Sequence, residues 1–171
     1  MIYEKNGPAY PSQNKYYGIF EFMFILSKGI PKTVNLIKDR KNRWYGQKWG
    51  KTRSRRKING DLVHQDWYKD EGNQYGVRFN IWRYNVGAGY QDTDGFSKQH
   101  PATFPENLAY DHIISWSNAG DLVLDPMCGS GTTCKEAMLL KRNYIGIDCS
   151  EEYVKLSEER IQVAEKQTRL F

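Results

Sequence analysis

A glycine-rich turn between an apolar strand and a helix constrains the fold of this chain more than any other feature. Residues 122–125 read LVLD, which predicts a short buried strand, and DPMCGSGTT follows at 125–133. Gly129 and Gly131 lack Cβ atoms, so the backbone can turn tightly there and approach a ligand closely. The next helix presents free N–H groups and the positive end of its dipole, which suit a carboxylate. The pattern therefore predicts a small-molecule pocket on a parallel α/β sheet.

The residues of this turn leave several ligands open. A dinucleotide fingerprint requires a third glycine where Cys134 stands, and a P-loop requires a lysine where Thr132 follows Gly131. An ordinary βα turn without a ligand is a further reading. Asp148 lies 23 positions after Asp125, at the end of the next predicted strand. An acid near that offset can accept hydrogen bonds from ribose hydroxyls, although a helix cap or a solvated side chain is the simpler reading.

Three regions divide the chain, with predicted bounds at 1–32, 33–98 and 99–171. The first contains a predicted buried strand at 18–27, and the second a predicted strand at 76–84 with alternating apolar side chains.

The third region contains three predicted helices. The first starts at Pro105 and closes at Gly120, the second stops near Asn143, and the third is capped by Ser150. Predicted strands at 122–125 and 144–148 alternate with these helices. This order predicts a parallel sheet with right-handed crossovers. The predicted apolar faces of the three helices consist of Tyr110, Ile113 and Ile114, then Cys134, Ala137 and Met138, and finally Tyr153, Leu156, Ile161 and Ala164.

Positive charge is concentrated in one segment of the second region. The chain carries a formal net charge of +5, whereas residues 38–57 contain ten basic residues and one acidic residue. The rest of the chain is therefore acidic. A clustered excess of this kind, interleaved with aromatic side chains, is typical of contact with a nucleic-acid backbone, although a solvated loop is the alternative.

Other classes of protein are disfavoured by composition. The longest apolar run is too short to span a bilayer, and no signal peptide follows Met1. Three cysteines without CxxC spacing argue against a disulfide framework and against zinc, and His64 and His112 share no metal-ligand spacing. We therefore expect a cytoplasmic protein, in a bacterial cell or a phage-infected host, that binds neither membrane nor metal.

The order of motifs resembles the β-type family of DNA methyltransferases that modify exocyclic amino groups. The resemblance rests on QHPATFPE at 99–106, on DLVLDPMCGSGTT at 121–133 and on YIGIDCSEEYV at 144–154. MIYEKNGP at 1–8 and FEFMFILSKG at 20–29 are similar to the two strands that follow the family's catalytic motifs. The resemblance implies a Rossmann-like fold that binds S-adenosylmethionine, with a basic target-recognition region inserted between its parts. Restriction–modification enzymes are typical members.

Roles for individual residues follow from the resemblance. It implies that S-adenosylmethionine contacts His100, Ala102, Thr103, Phe104, Asp125, Met127, Gly129, Gly131, Thr132, Asp148 and Cys149. For His100 the alternative is a loop histidine that caps a neighbour. The position of the basic segment implies double-stranded DNA as its partner, through Arg43, Trp44, Lys48, Trp49, Lys51, Arg53, Arg55, Arg56 and Lys57. Cations would neutralise phosphates, and the tryptophans would pack on sugars or bases.

The family's catalytic loop, Asp/Asn/Ser-Pro-Pro-aromatic, is missing from these residues. None of the six prolines is adjacent to another, and GPAY at 7–10 lacks both the polar first residue and the second proline. We therefore assign no catalytic residue. We expect the chain to hold the two flanks of a sheet without its centre, as a fragment or a subunit of an enzyme that methylates adenine or, less in keeping with the family, cytosine. The alternatives are an inactive remnant that binds DNA or cofactor and needs a separate catalytic half, and a methyltransferase acting on RNA or protein.

Overall fold

The computed structural model describes residues 1–6, 18–43, 45–46, 49–50, 53–65, 68–69, 73–86, 93–96 and 103–168. The chain divides into two compact units, one formed by residues 1–36 and 80–171 and the other by residues 37–79. The strands of the first unit are β1 (Ile2–Lys5), β2 (Phe20–Phe22), β9 (Ile81–Tyr84), β10 (Leu122–Asp125) and β11 (Asn143–Gly146). Its helices are α1 (Glu106–Trp116), α2 (Thr132–Leu139) and α3 (Glu151–Thr168). No helix in the described part of the chain is long and apolar enough to cross a membrane.

The strands of the first unit form two separate sheets. One has the order β2-β1-β9, in which β1 runs antiparallel to β2 and parallel to β9. The other consists of β10 and β11, which run parallel in the register that pairs Asp125 with Gly146. Within the described residues no hydrogen-bonded strand joins the two sheets.

The prediction of a buried strand at 18–27 is wrong in length and in burial. Strand β2 ends at Phe22 because its pairing partner β1 begins at Ile2, which lies opposite Phe22. Beyond that point Leu26 is 90% exposed, and Phe24 is nearly as exposed. Apolar composition predicted the burial, but burial also requires a covering layer, and no described element supplies one here.

The single strand predicted at 76–84 is also wrong. Tyr75–Gly76 pairs within the second unit, whereas Ile81–Tyr84 pairs with β1 in the first. Arg78 lies between these two strands and belongs to neither. Its backbone N–H donates to the Ile37 carbonyl at 2.8 Å, and its guanidinium binds the carboxylate of Asp39. Alternation of apolar residues therefore marked two strands and missed the break between them.

Helix α1 lies between the two sheets. On one side Ala109 and Ile113 pack with Ala137 of α2 and with Val123 of β10. On the other side the Tyr84 hydroxyl donates to Asp111 at 2.5 Å. Polar Asp111 is buried on this second face, whereas Tyr110 is 42% exposed, which corrects the predicted place of Tyr110 in the core.

The loop around Asn35 reinforces this arrangement from the side of the three-stranded sheet. The Asn35 backbone N–H donates to the Ser115 carbonyl at 2.8 Å, and its side-chain amide donates to the carbonyls of Ile114 and Ser117. The ring of His112 lies 4.9 Å from that of Trp82, and its Nε2 is 3.1 Å from the Met23 sulfur. His112 is thus held as a packed, structural side chain.

The remaining predictions for the third region are confirmed with shifted ends. The buried residues of α2 include Cys134 and Ala137, and the Ser150 hydroxyl accepts the Tyr153 N–H at the start of α3. The strand predicted at 144–148 runs instead from Asn143 to Gly146. The Ile147 N–H still donates to Asp125 at the end of β10, but the Ile147 carbonyl accepts the Cys128 N–H of the glycine-rich turn.

A β-hairpin forms the second unit. Its strands are β3 (Arg40–Lys41), β4 (Trp49–Gly50), β5 (Arg53–Arg56), β6 (Leu62–Gln65), β7 (Tyr68–Lys69) and β8 (Tyr75–Gly76). They pair antiparallel in nested order, β3 with β8, β4 with β7 and β5 with β6. The turn at the tip closes with Gly60, whose φ of 92° places it in the left-handed region. Its N–H donates to the Lys57 carbonyl.

Candidate cofactor site and nucleic-acid interface

The carboxyl ends of β10 and β11 meet at the glycine-rich turn, here called the cofactor loop and defined as residues 125–132. The Ile147 N–H donates to the Asp125 carbonyl, and the Cys128 N–H donates to the Ile147 carbonyl, each at 2.9 Å. The Asp148 carboxylate accepts one N–H from Gly129 and another from Ser150, again at 2.9 Å. Both acids predicted from the sequence therefore stand at one sheet edge, and Asp148 ties the loop to the start of α3.

The two glycines of the cofactor loop are required by its backbone. Gly129 and Gly131 have φ values of 49° and 76°, in the left-handed region. A Cβ added to Gly131 would lie 2.6 Å from Cβ of Ser157 on α3. The close approach at Gly131 is thus to α3, a contact that the sequence motif alone did not reveal.

A third close approach involves Gly146 of β11. An added Cβ there would lie 2.7 Å from the Cys134 sulfur and 3.1 Å from that of Cys128. These two thiols are buried, and burial raises the pKa of Cys134 to about 12. Cys149 is exposed beyond the end of β11. None of the three is paired in a disulfide.

The predicted cofactor residues differ in how they present their side chains. Met127 is 83% exposed beside the loop, and Phe104 is partly exposed just before α1. Thr132 is buried, and its hydroxyl accepts a hydrogen bond from Arg160 at 2.9 Å. Thr103 is half-buried, while His100 and Ala102 lie outside the described residues.

Buried charge lies beneath the cofactor loop, and the sequence reasoning missed it. Asp94, Glu106, Lys135 and Arg160, here called the charge cluster, form ion pairs with one another. A signal was present in α3, where Arg160 falls on the same helical face as buried Leu156 and Ala164.

Glu136 adjoins this cluster as a further buried carboxyl. Its pKa is raised to about 7, first by burial and then by the charge of Glu106, while the cations Lys135 and Arg160 act in the opposite direction.

The predicted DNA-contacting residues fall on the hairpin as far as they are described. Arg55 and Arg56 are exposed on β5, and Lys57 is exposed where β5 meets the tip turn. Arg43 is exposed near the base of the hairpin. The structure describes only the backbone of Trp49 and Arg53, both in strands, whereas Trp44, Lys48 and Lys51 lie outside the described residues. An exposed cationic ribbon of two antiparallel strands has the dimensions of a major-groove reader.

Comparison with known proteins identifies relatives along most of the chain. A family model described as DNA methylase matches residues 1–159. The orphan methyltransferase M.BamHII of Bacillus amyloliquefaciens is 51% identical over 162 residues, covering 95% of this chain and 61% of its own length. The type II methyltransferase M.HinfI of Haemophilus influenzae is 38% identical over 93 residues, covering 53% of this chain and 26% of its own length. The chain thus spans less than two thirds of these relatives.

A solved structure supports the fold independently. The M1.HpyAVI–SAM complex superposes with a TM-score of 0.53 at 23% sequence identity, covering 94% of this chain and 59% of the other. At that identity the likeness concerns the fold alone. The predicted methyltransferase-type α/β fold is confirmed.

Proposed function

Because this chain belongs to the DNA methylase family, we propose that it supplies the S-adenosylmethionine site and the DNA-contacting region of an enzyme that methylates an exocyclic amino group in DNA. The observation that carries the proposal is the meeting of Asp125, Asp148 and the cofactor loop at one sheet edge. S-adenosylmethionine supplies an electrophilic methyl group when bound. Adenine is the proposed target, with cytosine as the alternative.

The donor set at the sheet edge fits this cofactor. Asp148 is suited to ribose hydroxyls, since an ionised carboxylate is an acceptor with two oxygens and about four lone-pair sites. The first turn of α2 directs N–H groups toward the space where a methionine carboxylate would lie. Met127 and Cys149, both exposed, offer polarisable side chains at the rim. His100, Ala102, Thr103 and Phe104 are proposed to complete the pocket.

The hairpin is proposed to hold double-stranded DNA. Exposed Arg55, Arg56 and Lys57 lie in succession, so at least one strand face and the tip can reach phosphates. None of these side chains is needed for the ion pair that fixes the hairpin's base, which joins Arg78 to Asp39. Family membership favours DNA over RNA or protein as the substrate.

One edge of β10 is unpaired in the described chain, which favours a separate catalytic half as a partner. Within the described chain β10 pairs only with β11, and Leu122 and Leu124 are 60% and 57% exposed. Trp116 at the end of α1 buries its indole N–H without an acceptor among the described residues. A buried donor left unpaired is costly, and the backbone carbonyl of an added strand would satisfy it.

Two cavities flank this edge and share Trp116, Ser117 and Leu122 in their walls. Their volumes are about 460 Å³ and about 590 Å³, and Phe24 and Leu26 also line the second. An apolar strand-bearing segment would fill both. We propose that this occupant carries the Pro-Pro-aromatic loop, whose polar residue activates the amine of a base turned out of the duplex.

Calorimetry with S-adenosylhomocysteine tests the cofactor site. The purified chain should bind it, and Asp148→Ala should weaken binding at least tenfold. Asp121→Ala serves as the control, because Asp121 lies at the opposite end of β10 and contacts Asn118. Absence of binding by the unaltered chain would contradict the proposal.

Complementation tests the catalytic half. The chain is mixed with a polypeptide comprising the part of M.BamHII outside the match, and transfer of labelled methyl groups to DNA is measured. Methylation should require both components and should be abolished by Leu124→Asp at the open edge. Val163→Asp, on partly exposed α3, should leave it intact. Methylation by this chain alone, or none by the mixture, would refute the proposed partner.

A further inference from the structure

The charge cluster joins four parts of the fold beneath the cofactor loop. Arg160 of α3 and Lys135 of α2 both bind Asp94, at 2.9 Å and 2.8 Å, and both bind Glu106 at the start of α1. The Arg160 side chain is fully buried, and the other three are almost so. Two cations and two carboxylates are balanced in charge, as buried ionic groups must be.

The guanidinium of Arg160 uses all three of its nitrogens. Nε donates to Asp94, and Nη2 donates to Glu106 at 2.7 Å. Nη1 donates to the Ser130 carbonyl at 3.1 Å and to the Thr132 hydroxyl at 2.9 Å. One planar group thus binds the cofactor loop on one side and two carboxylates on the other. A lysine ammonium cannot reproduce this fork.

The two carboxylates bracket the other half of the proposed cofactor pocket. Asp94 precedes, and Glu106 follows, the QHPATFP stretch at 99–105. The segments on the two sides of the stretch are also joined directly, because the Thr93 N–H and hydroxyl donate to Glu106 at 3.3 Å and 3.1 Å. Asp94 and Glu106, the described acids on either side of the stretch, are therefore both fixed to the underside of the cofactor loop through Arg160.

Stability alone is a weak reason for such a cluster. Buried ion pairs often contribute no more than apolar residues of the same volume, because desolvation offsets their attraction. What they provide is a defined geometry. In this chain the geometry relates the cofactor loop to the bracketed segment, two parts of the pocket that are distant in sequence.

We propose that Arg160 is a positioning residue that clamps the segments 93–96 and 103–106 to the cofactor loop and so assembles the cofactor pocket before the cofactor binds. The proposal rests on the proposed function for the identity of the ligand. The clamp itself is a set of contacts within the protein and does not depend on the ligand. Failure of the clamp and failure of the proposed function can therefore be distinguished.

The test compares Arg160→Lys with Arg142→Lys in the full chain. Arg142 is the matched control, because all three nitrogens of its guanidinium also donate hydrogen bonds, to Ser117 and Leu140, but do so at the opposite end of the sheet. Hydrogen exchange of the unliganded chain should rise in peptides covering 93–96 and 103–108 for Arg160→Lys only. Arg142→Lys should raise exchange around residues 117–122 instead.

Binding provides the second measurement. Arg160→Lys should weaken S-adenosylhomocysteine binding at least tenfold, whereas Arg142→Lys should leave it within twofold at a similar loss of melting temperature. Unchanged exchange at 93–108 in Arg160→Lys overturns the clamp whether or not ligand binds. Changed exchange with unchanged binding overturns the assembly of the pocket. Absence of binding by the unaltered chain contradicts the proposed function and leaves the clamp to be decided by exchange.

A milder variant covers the case in which Arg160→Lys does not fold. Asp94→Asn keeps the shape of the side chain and removes one charge from the cluster. It should give the same two changes at smaller size, and wild-type exchange and binding in this variant would overturn the proposal.

Discussion

Replacing Glu136 with glutamine should stabilise the protein at alkaline pH and have little effect in acid. Glu136 is 6% exposed, and its pKa is raised from 4.5 to about 7 by burial and by the nearby Glu106 charge. The folded state therefore holds a proton that the unfolded state has already released. Between these two values stability falls as pH rises, because the unfolded chain binds fewer protons there.

The magnitude follows from the two pKa values. Each tenfold difference in proton affinity corresponds to about 1.4 kcal/mol. Compared with a side chain that never ionises, the raised pKa of Glu136 therefore lowers the stability by roughly 3 kcal/mol at pH 8 and by about 1 kcal/mol at pH 5. Glutamine removes the charge while keeping the shape. For a chain of this length we expect the melting temperature at pH 8 to rise by about 6 to 12 °C.

Thermal and urea unfolding between pH 4.5 and 8.5 provide the measurement. The free-energy difference between Glu136→Gln and the unaltered chain should grow with pH and level off above about 7.5. Glu158→Gln, exposed on α3, should show no such growth. A difference that stays constant with pH would refute the reasoning, since it would mean that Glu136 titrates alike in both states.

Two further predictions concern the hairpin and the cofactor loop. Replacing Arg55 and Arg56 with alanine should weaken DNA binding and lower the slope of log affinity against log salt by up to about 2, whereas Lys155→Ala should change neither. Filter binding at several salt concentrations measures this slope. An unchanged slope would exclude phosphate contact by the two arginines. Gly131→Ala should lower the melting temperature more than Gly120→Ala, because both residues have positive φ but only at Gly131 would the new Cβ collide with α3. Equal losses in the two variants would show that backbone strain alone matters.

The cofactor loop was predictable because its determinants are local. The strand ending in Asp125, the two glycines and the following helix adjoin in sequence, and the next strand returns Asp148 to the same edge. The Ser150 cap was predictable for the same reason, since its hydroxyl acts only three residues away.

Burial could not be predicted in the same way. The apolar run ending at Leu26 has the composition of a core strand, yet its exposure depends on which other elements lie over it. Arg160 presents the opposite case. Its spacing from Leu156 and Ala164 places it on the buried face of α3, but the carboxylates of Asp94 and Glu106 that compensate its charge are distant in sequence.

The form of the basic segment could not be predicted from its charge. Charge identified the cations at 38–57, but their arrangement on a hairpin depends on pairing with residues 62–76, which carry little charge pattern of their own. The pairing of Arg56 with Leu62 across the tip turn is the kind of contact that composition does not specify.

The burial of two cysteines leaves the chain with a natural attachment point for a probe. Cys128 and Cys134 are enclosed beside Gly146, whereas Cys149 is exposed at the rim of the proposed pocket. A maleimide dye applied to the folded protein should therefore label one position. Its emission would report ligand entry in real time, without engineering a cysteine-free background.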